Sequence, residues 1–499
     1  MKIPSSLIKS LIGLKGFQQE SFEQVHASPE PVTSIRWNPR KKIFVKKENS
    51  NFNNQNSEIE NSQNISLGLP TPDSQLPTPA SCLPALTPVP WSTQGYYLSE
   101  RPSFTFDPLF HAGCYYVQEA SSMFLEEAFI QTVAIRTDIK VLDLCAAPGG
   151  KSTLVQSIIS SHSLLVTNEV IKSRAVILEE NITKWGGANV IITNNDPADF
   201  GRIGNFFDTI VIDAPCSGSG LFRRDPGAIE EWSEQNVQHC SQRQQRIISD
   251  VLPALMKNGI LIYSTCSYSE QENEDILDWM IKEFGLESVR LDVKPEWNIT
   301  ETNSAKQGAY GYRFWPDKIK GEGFFIACLR KTEVDENSEK QFRKSKIDRL
   351  NKFEEAIVKP WLNKEVDIQL FKLGDSILAL PAELEQSLQE IMAASLYIRL
   401  AGVRIGKIAG KDFVPDHALA VSHLVSNEVV AVSLNQEQAI QYLRKEEVPF
   451  TGLGLTEGNK KIMPGWALVQ YEGVNIGWIK ILQNRVNNYY PKEWRILKR

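Results

Sequence analysis

Two cysteines of this chain each follow an apolar run, in positions suited to nucleophilic chemistry. Cys216 ends the segment FDTIVIDAPC, and Cys266 ends the segment NGILIYSTC. Each run is typical of a buried strand, and the carboxyl ends of parallel strands are where ligands and reacting groups lie. A thiol is a natural nucleophile for adding to a flat, electron-poor ring such as a pyrimidine. The pair therefore predicts one active site with two sulfur atoms.

The segment KVLDLCAAPGGKST is typical of a strand, a turn of small residues and the start of a helix. Gly149 and Gly150 would let the backbone turn tightly and approach a ligand closely. The free N–H groups of the helix start would favour a carboxylate or a phosphate. The segment matches neither the loop of nucleotide triphosphatases nor the dinucleotide fingerprint. We therefore expect a cofactor of another kind.

Acidic residues stand at the ends of four successive candidate strands, namely Asp143, Glu169, Asp196 and Asp213. An acid at the end of the second strand can bind ribose hydroxyls. Any one of these acids could instead be a helix cap or part of a turn. All four together favour a ligand that contains adenosine and carries a partial positive charge, and S-adenosyl-L-methionine is such a ligand.

Strand and helix patterns alternate from about residue 115 to residue 331, and they would position these groups. The candidate strands are 139–144, 164–169, 189–194, 207–213 and 258–264. Such alternation predicts βαβ units and a parallel sheet, the α/β class. Two further candidate strands, near 287–293 and 323–330, would form an antiparallel edge.

Composition divides the rest of the chain. Residues 48–88 are rich in Asn and then in Pro, which predicts a disordered insertion within an N-terminal module of residues 1–114. Residues 332–385 begin as a charge-dense linker and continue as an intermediate region. Residues 386–499 contain short β patterns punctuated by Gly and Asn, which predicts a β-rich domain.

Charge and composition exclude several classes of protein. The net charge of −6 argues against indiscriminate nucleic-acid binding, but basic stretches at 36–47 and 480–499 favour local contacts with RNA. Seven cysteines without a C-x-x-C pair, and six histidines without ligand spacing, predict no metal site and no disulfide framework. No apolar stretch reaches the roughly 18 residues of a membrane span. We expect a cytoplasmic protein without a membrane partner.

Three motifs, VLDLCAAPGGKS, VIDAPCSGSGLFRRDP and YSTCSYSEQENE, closely resemble those of the Nol-Nop-Sun family of RNA cytosine-carbon-5 methyltransferases. Further segments, among them VTSIRWNP, YGYRFWPDKIKGEGFFIACLRK and NNYYPKEW, look like the bacterial branch that modifies small-subunit ribosomal RNA. The resemblance covers nearly the whole chain. It implies a Rossmann-like, class I S-adenosyl-L-methionine-dependent methyltransferase core. It also implies an N-terminal α+β RNA-binding module and a C-terminal PUA-like RNA-binding domain.

The resemblance also implies roles for individual residues. The methionine part of the cofactor would lie against Cys145, Ala146, Ala147, Pro148, Gly149, Gly150 and Lys151. Glu169 would hold the ribose, Asp196 would lie by the adenine, and Asp213 would face both the target base and the cofactor. Cys266 would be the nucleophile, and Cys216 would assist release of the methylated RNA. The surroundings of the two thiols alone do not distinguish them.

The implied reaction is methylation of carbon 5 of one cytosine in 16S ribosomal RNA through a covalent Cys–cytosine intermediate. The partner would be that RNA in the small ribosomal subunit, with no DNA substrate, and the enzyme would be a monomer. Transfer RNA is an alternative substrate, and a DNA methyltransferase is a weaker alternative. A non-catalytic ribosome-assembly factor is a further alternative. The intact loop, Asp213 and both thiols argue against a non-catalytic factor.

Overall fold

The computed structural model describes residues 3–27, 32–41, 83–133, 138–333, 346–448, 456–457, 460–461 and 464–498. The helices are α1 (Ser5–Leu11), α2 (Gln19–Ala27), α3 (Pro108–His111), α4 (Leu125–Thr132), α5 (Gly150–Ile158), α6 (Lys172–Trp185), α7 (Pro197–Phe200), α8 (Gly227–Glu231), α9 (Glu234–Val251), α10 (Glu274–Phe284), α11 (Lys352–Val358), α12 (Glu385–Ala393), α13 (His417–Val421) and α14 (Gln436–Arg444). None of these described helices is both long enough and apolar enough to cross a membrane.

The strands fall into an N-terminal, a central and a C-terminal set. The N-terminal strands are β1 (Ser34–Trp37), β2 (Leu86–Pro88), β3 (Gly95–Leu98) and β4 (Tyr115–Val117). The central strands are β5 (Lys140–Asp143), β6 (Leu164–Asn168), β7 (Val190–Thr193), β8 (Phe207–Asp213), β9 (Leu255–Thr265), β10 (Glu287–Val289), β11 (Thr300–Asn303), β12 (Tyr310–Phe314) and β13 (Phe324–Arg330). The C-terminal strands are β14 (Ile368–Leu373), β15 (Ser376–Pro381), β16 (Ile398–Ala401), β17 (Val403–Ala409), β18 (Asp412–Pro415), β19 (Ala431–Leu434), β20 (Thr456–Glu457), β21 (Lys460–Lys461), β22 (Gly465–Tyr471), β23 (Val474–Ile481) and β24 (Val486–Asn488).

The N-terminal strands form an antiparallel sheet in the order β2-β3-β1-β4. Because β4 belongs to this sheet, the sheet extends past residue 114, after which the boundary was predicted. Most of the predicted insertion, residues 48–82, lies outside the described residues. Its end is ordered, since Leu86–Pro88 pairs with Tyr96–Leu98. The prolines that suggested disorder are tolerated there because β2 is an edge strand.

The central sheet confirms the predicted α/β core. Its order is β11-β12-β13-β9-β8-β5-β6-β7-β16, and β9, β8, β5, β6 and β7 run parallel. The parallel strands are covered on both faces, which is why their sequences are continuous apolar runs. The predicted antiparallel edge is also confirmed, since β13 pairs antiparallel with β9 and with β10. Strands β11 and β12 fill the polar segment between β10 and β13.

The strand order creates a crevice at one place in the sheet. The chain passes from β5 to β6 and β7 on one side, and then returns to build β8 and β9 on the other. At such a switch point the loops after the two central strands diverge and leave a ligand-binding crevice. The loop after β5 leads into α5, which carries Lys151, and the loop after β8 carries Cys216.

The C-terminal strands form two main sheets and one addition to the core. The first sheet, β14-β15-β17-β18, has strands on both sides of the predicted boundary at residues 385 and 386. The second, β19-β22-β23-β24, begins at Ala431. Strand β16 pairs antiparallel with β7 and extends the central sheet. Of the predicted linker, residues 334–345 lie outside the described part of the chain.

The N-terminal basic stretch faces the interior in its described part, which corrects the expectation of an RNA-facing surface. Arg36 is buried, with its guanidinium 4.6 Å from the centre of the Trp185 ring. The guanidinium of Arg40 donates to the carbonyl of Gln156 at 2.8 Å. Lys41 donates to the carbonyl of Val421. These cations therefore join the N-terminal module to the core and to the C-terminal region.

Candidate active site

The two predicted cysteines meet at the carboxyl edge of the central sheet. Strands β8 and β9 are parallel neighbours, with Asp213 opposite Ser264. Cys266 directly follows β9, and Cys216 lies in the loop after β8. Their sulfur atoms are 2.9 Å apart, and both thiols are free and partly buried. The register of the two strands thus brings together residues that are 50 positions apart in sequence.

The surroundings of Cys216 favour its protonated form. The hydrogen bond with Cys266 is the largest cause that raises the pKa of Cys216, followed by burial and by the nearby charge of Glu272. Cys216 therefore keeps its proton at neutral pH and can donate it to the sulfur of Cys266. Such a donor stabilises negative charge on the accepting sulfur.

Asp213 ends β8 beside the sulfur pair and forms an ion pair with Lys151. The ammonium of Lys151 lies 2.8 Å from one carboxylate oxygen, and the hydroxyl of Ser264 donates to the other at 2.9 Å. Burial opposes the charge on Lys151, but the carboxylate of Asp213 outweighs it and raises the pKa of Lys151. The Asp213 side chain stays partly exposed, so it remains able to contact a ligand.

The predicted cofactor loop runs from the end of β5 to the start of α5. Gly149 has φ +114°, a backbone conformation that favours glycine. A guanidinium nitrogen of Arg174 donates to the carbonyl of Ala147 at 2.7 Å, and the amide of Asn181 donates to the carbonyl of Pro148 at 2.8 Å. Side chains of α6 therefore fix this turn from outside.

A cavity of about 430 Å³ joins the loop to Cys266, whereas Cys216 and Gly149 are not among its lining residues. It is lined by Tyr116, Val117, Gln118, Glu119, Ser122, Cys145, Ala146, Ala147, Pro148, Gly150, Lys151, Asp213, Leu221, Arg224, Cys266, Glu322, Gly323 and Phe324. A volume of this size holds a drug-sized ligand. The structure thus brings most of the predicted site residues to one cavity.

The other predicted acids lie next to this region rather than in the lining. Glu169 follows β6, is almost fully buried, and accepts a hydrogen bond from the backbone N–H of Ile171 at 2.9 Å. Asp196 is the N-cap of α7, accepts from the N–H of Ala198 at 3.1 Å and lies 3.3 Å from the guanidinium of Arg246. The contacts with ribose and adenine expected of these two residues stay predictions.

The residues present fit S-adenosyl-L-methionine. A Cβ added at Gly150 would lie 3.3 Å from the ring of Tyr116, so a larger residue would narrow the cradle. The ammonium of Lys151 can attract a carboxylate, and the partial negative charge of Asp213 suits a sulfonium. Asp143, behind the loop, is fully buried with one oxygen unpartnered, and burial raises its pKa to about 7.

Several residues that line the cavity were not predicted from the sequence. Tyr116, Gln118 and Glu119 lie in or just after β4, near the start of the segment 115–331 that was predicted as the core, and no site role was predicted for them. Glu322 precedes β13, and burial raises its pKa to about 7. Its position just before the apolar run FFIACL was the available signal, because it marks the beginning of a strand next to β9.

The two arginines after the Cys216 loop differ in exposure. Arg223 is buried, donates to the carbonyl of Gly321 at 3.1 Å and lies 3.7 Å from Glu322. It therefore supports the cavity wall. Arg224 is exposed and lines the cavity. Among the residues described, no three His, Cys, Asp or Glu side chains cluster as a metal site would require.

Three family models match successive parts of the chain. The model described as the N-terminal domain of 16S rRNA methyltransferase RsmF matches residues 71–120. The model described as 16S rRNA methyltransferase RsmB/F matches residues 130–330, and that of the methyltransferase RsmF PUA domain matches residues 429–496.

Whole-length relatives and a solved structure agree with these matches. The chain is 30% identical to ribosomal RNA small subunit methyltransferase F of Psychromonas ingrahamii, over 82% of this chain and 85% of that protein. It is 31% identical to the protein of the same name from Vibrio atlanticus, with the same coverage. The crystal structure of PH0851 has a TM-score of 0.51 at 21% identity and covers 66% of each chain, which supports the fold alone.

Proposed function

This chain belongs to the family of ribosomal RNA small subunit methyltransferase F, and from that premise we propose that it methylates carbon 5 of a cytosine in 16S ribosomal RNA. The methyl donor of the family is S-adenosyl-L-methionine. We propose that the enzyme acts in the cytoplasm, as a monomer, on RNA of the small ribosomal subunit. The observation that carries this proposal is the sulfur pair of Cys216 and Cys266, 2.9 Å apart and beside the ion pair of Asp213 and Lys151.

The proposed reaction uses Cys266 as the nucleophile. Carbon 5 of cytosine is too weakly nucleophilic to take a methyl group directly, so the sulfur first bonds to carbon 6 and makes the ring enamine-like. S-adenosyl-L-methionine, when bound, supplies the methyl group that carbon 5 then takes. A base removes the carbon-5 proton, the double bond between carbons 5 and 6 re-forms, and the carbon–sulfur bond breaks.

The other side chains have distinct parts in this scheme. Asp213 hydrogen-bonds the edge of the cytosine by accepting from its exocyclic amino group, and the ammonium of Lys151 beside it offsets the negative charge that develops on the ring as sulfur adds. Lys151 fixes the Asp213 carboxylate at 2.8 Å. Cys216 holds a proton beside the leaving sulfur, which suits it to assist release. Glu169 and Asp196 hold the ribose and the adenine, and the loop from Cys145 to Gly150 holds the methionine part.

The target base must be unpaired or flipped out, because pairing would hide the ring from the sulfur. The cavity opens between the N-terminal module and the core, so that module contributes its wall. We propose that the N-terminal module and the C-terminal PUA domain bind the flanking RNA.

The test is transfer of radiolabel from S-adenosyl-L-methionine to four substrates: small ribosomal subunits, naked 16S ribosomal RNA, bulk transfer RNA and DNA. We expect label in the ribosomal substrates, recovered as 5-methylcytosine after digestion to nucleosides. Label recovered only in transfer RNA or in DNA, or on another base, would contradict the proposal. Bisulfite mapping of ribosomal RNA from a deletion strain then identifies the cytosine.

A further inference from the structure

A buried carboxylate lies next to the sulfur pair and takes no part in the proposed chemistry. Glu272 is 0% exposed, and its hydrogen bonds come from neutral groups. One oxygen accepts from the backbone N–H of Ser217 at 2.7 Å and from the amide of Gln244 at 3.4 Å. The other accepts from the hydroxyls of Ser217 and Ser267, each at 2.6 Å.

Ser217 and Ser267 are the residues that directly follow the two reactive cysteines. Their loops leave different strands, β8 and β9, and the carboxylate of Glu272 binds both. The two loops are also joined directly, since the N–H of Gly220 donates to the carbonyl of Cys266 at 2.8 Å. Glu272 is itself anchored to β9, since the hydroxyl of Tyr263 donates to its carbonyl at 2.6 Å. A contact between both cysteine loops and one anchored group fixes how far apart the sulfur atoms can lie.

We propose that Glu272 is a positioning residue that binds Ser217 and Ser267 and so holds the sulfur atoms of Cys216 and Cys266 at the separation that attack and release require. This inference rests on the proposed function, because it assigns the two sulfur atoms to one reaction.

The energetics favour this role over simple packing. A buried carboxylate is costly unless strong hydrogen bonds compensate for its lost hydration. Burial raises the pKa of Glu272, and the hydrogen bonds from Ser217 and Ser267 oppose that rise. Hydrogen bonds to a charged acceptor are shorter and stronger than neutral ones. The hydrogen bonds from two hydroxyls and an N–H to the carboxylate of Glu272 therefore restrict the movement of the two cysteine loops.

The two serines allow the two steps to be tested separately. Loss of the Ser267 hydroxyl frees the loop of Cys266 and should slow attack on the base. Loss of the Ser217 hydroxyl frees the loop of Cys216 and should slow release. A misplacement of about 1 Å at reacting groups can lower a rate by roughly 100-fold.

The experiment is a single-turnover reaction of the full chain with 16S ribosomal RNA. It follows the formation and the decay of the protein–RNA adduct on a denaturing gel. We expect Ser267→Ala to slow adduct formation and Ser217→Ala to slow adduct decay, each by about tenfold or more. Glu272→Ala should slow both steps by roughly 100-fold. Ser99→Ala, at an exposed position just after β3, is the matched control and should keep wild-type rates.

A conservative variant separates positioning from charge. In Glu272→Gln, the amide oxygen can accept from the N–H of Ser217, and the amide nitrogen can donate to the two hydroxyls, which rotate to accept. We expect this variant to recover most of the rate that Glu272→Ala loses. The affinity for S-adenosyl-L-methionine should stay unchanged in all four variants of this cluster.

Two results would overturn the inference: wild-type rates of both steps in Glu272→Ala, or Glu272→Gln as slow as Glu272→Ala with both proteins folded and able to bind cofactor. If Glu272→Ala does not fold, the two serine variants test the inference. If Ser217→Ala and Ser267→Ala slow adduct formation and adduct decay to the same extent, the inference that each serine positions its own cysteine is contradicted. A wild-type enzyme that forms neither adduct nor 5-methylcytosine would instead refute the proposed function.

Discussion

The two thiols of the site differ in their electrostatic surroundings, although the sequence around each is alike. The hydrogen bond with Cys266, burial and the nearby charge of Glu272 raise the pKa of Cys216. Cys266 follows β9 directly and lines the cavity, within reach of a ligand. Of the two thiols, Cys266 lines the cavity, and this supports the proposed assignment of attack to Cys266 and of release to Cys216.

Asp213→Asn tests the charge at the base-facing end of β8. The amide keeps the shape but loses the charge that Lys151 and Ser264 bind, so it holds the Lys151 ammonium less firmly and accepts more weakly from the amino group of the base. We expect kcat to fall by about 10²–10³-fold, measured as initial rates of label transfer to 16S ribosomal RNA. Asp375→Asn, in an exposed turn, should leave kcat unchanged, and an unchanged kcat in Asp213→Asn would contradict the assigned role.

Asp143→Asn tests how the buried acid behind the cofactor loop changes the pH dependence of the protein's stability. The pKa of Asp143 is raised to about 7 in the folded protein, above its ordinary value of 3.8. The stabilisation linked to its protonated form is therefore present at low pH and lost as pH rises through about 7. We expect the unfolding temperature of the wild type to fall more between pH 5 and 8 than that of Asp143→Asn.

The control for this pH effect is Asp138→Asn, at an exposed position just before β5. Its unfolding temperature should follow the wild-type pH dependence. Glu322 has a pKa shifted in the same direction, so some slope remains in every variant. Identical slopes for the wild type and Asp143→Asn would contradict the account of Asp143.

Side chains that lie at or just after the end of a strand could be predicted from the sequence. Contacts between residues that follow different strands could not. Cys266 and Asp213 could be predicted because each follows an apolar run whose end is visible locally. The contact of Glu272 with Ser217 joins residues 55 positions apart and depends on the register of β8 and β9. Asp196 shows a second limit of the sequence. An acidic residue that contacts a ligand at the end of a strand and one that caps a helix have the same local sequence, so the N-cap position of Asp196 could not be predicted.

Between elements, Arg36 links β1 to the start of α5. Its guanidinium donates to the side chain of Gln118 at 2.9 Å, to the hydroxyl of Thr153 at 2.6 Å and to the carbonyl of Gly150 at 3.3 Å. Gln118 and Gly150 both line the cavity. One buried cation thus ties the N-terminal module to the cofactor loop.

Arg36→Lys tests this link. An ammonium cannot reach the same set of acceptors, so buried groups lose partners at a cost of about 1–3 kcal/mol each. We expect a lower unfolding temperature and severalfold weaker binding of S-adenosyl-L-methionine, measured by calorimetry. Arg202→Lys, which changes an exposed ion pair, should alter neither property. Wild-type affinity in Arg36→Lys would show that the loop does not depend on this contact.

The elements themselves were predicted where periodicity is local and missed where pairing is distant. The parallel strands could be predicted because burial on both faces requires continuous apolar runs. Strand β2 was missed because proline-rich composition indicated disorder, whereas its order comes from pairing with β3. The basic stretch at Arg36 was misjudged because composition does not tell whether a cation faces water or a buried acceptor.

At the scale of the whole molecule, the terminal regions share one core. Ile35, Tyr96 and Leu98 of the N-terminal sheet belong to the same apolar cluster as Tyr442 and Val469 of the last domain. The family resemblance predicted the modules and was confirmed. The boundaries were not predictable, because sheets such as β14-β15-β17-β18 draw strands from both sides of a composition change.

Removal of residues 429–499 tests this shared core. An independent domain could be deleted without changing the stability of the remainder, but here the deletion exposes apolar side chains of the N-terminal sheet. We expect the truncated protein to unfold at a lower temperature and to bind a fluorescent dye for apolar surfaces. An unchanged unfolding temperature of the remainder would contradict a shared core.

The central claim is that Cys266 attacks the cytosine and Cys216 assists release, and trapping the adduct tests it most directly. Cys266→Ala and Cys216→Ala are each incubated with 16S ribosomal RNA and S-adenosyl-L-methionine and are resolved on a denaturing gel. We predict a stable protein–RNA adduct with Cys216→Ala. With Cys266→Ala we predict no adduct and no methyl transfer, while cofactor binding stays intact. An adduct with Cys266→Ala and none with Cys216→Ala would reverse the assignment.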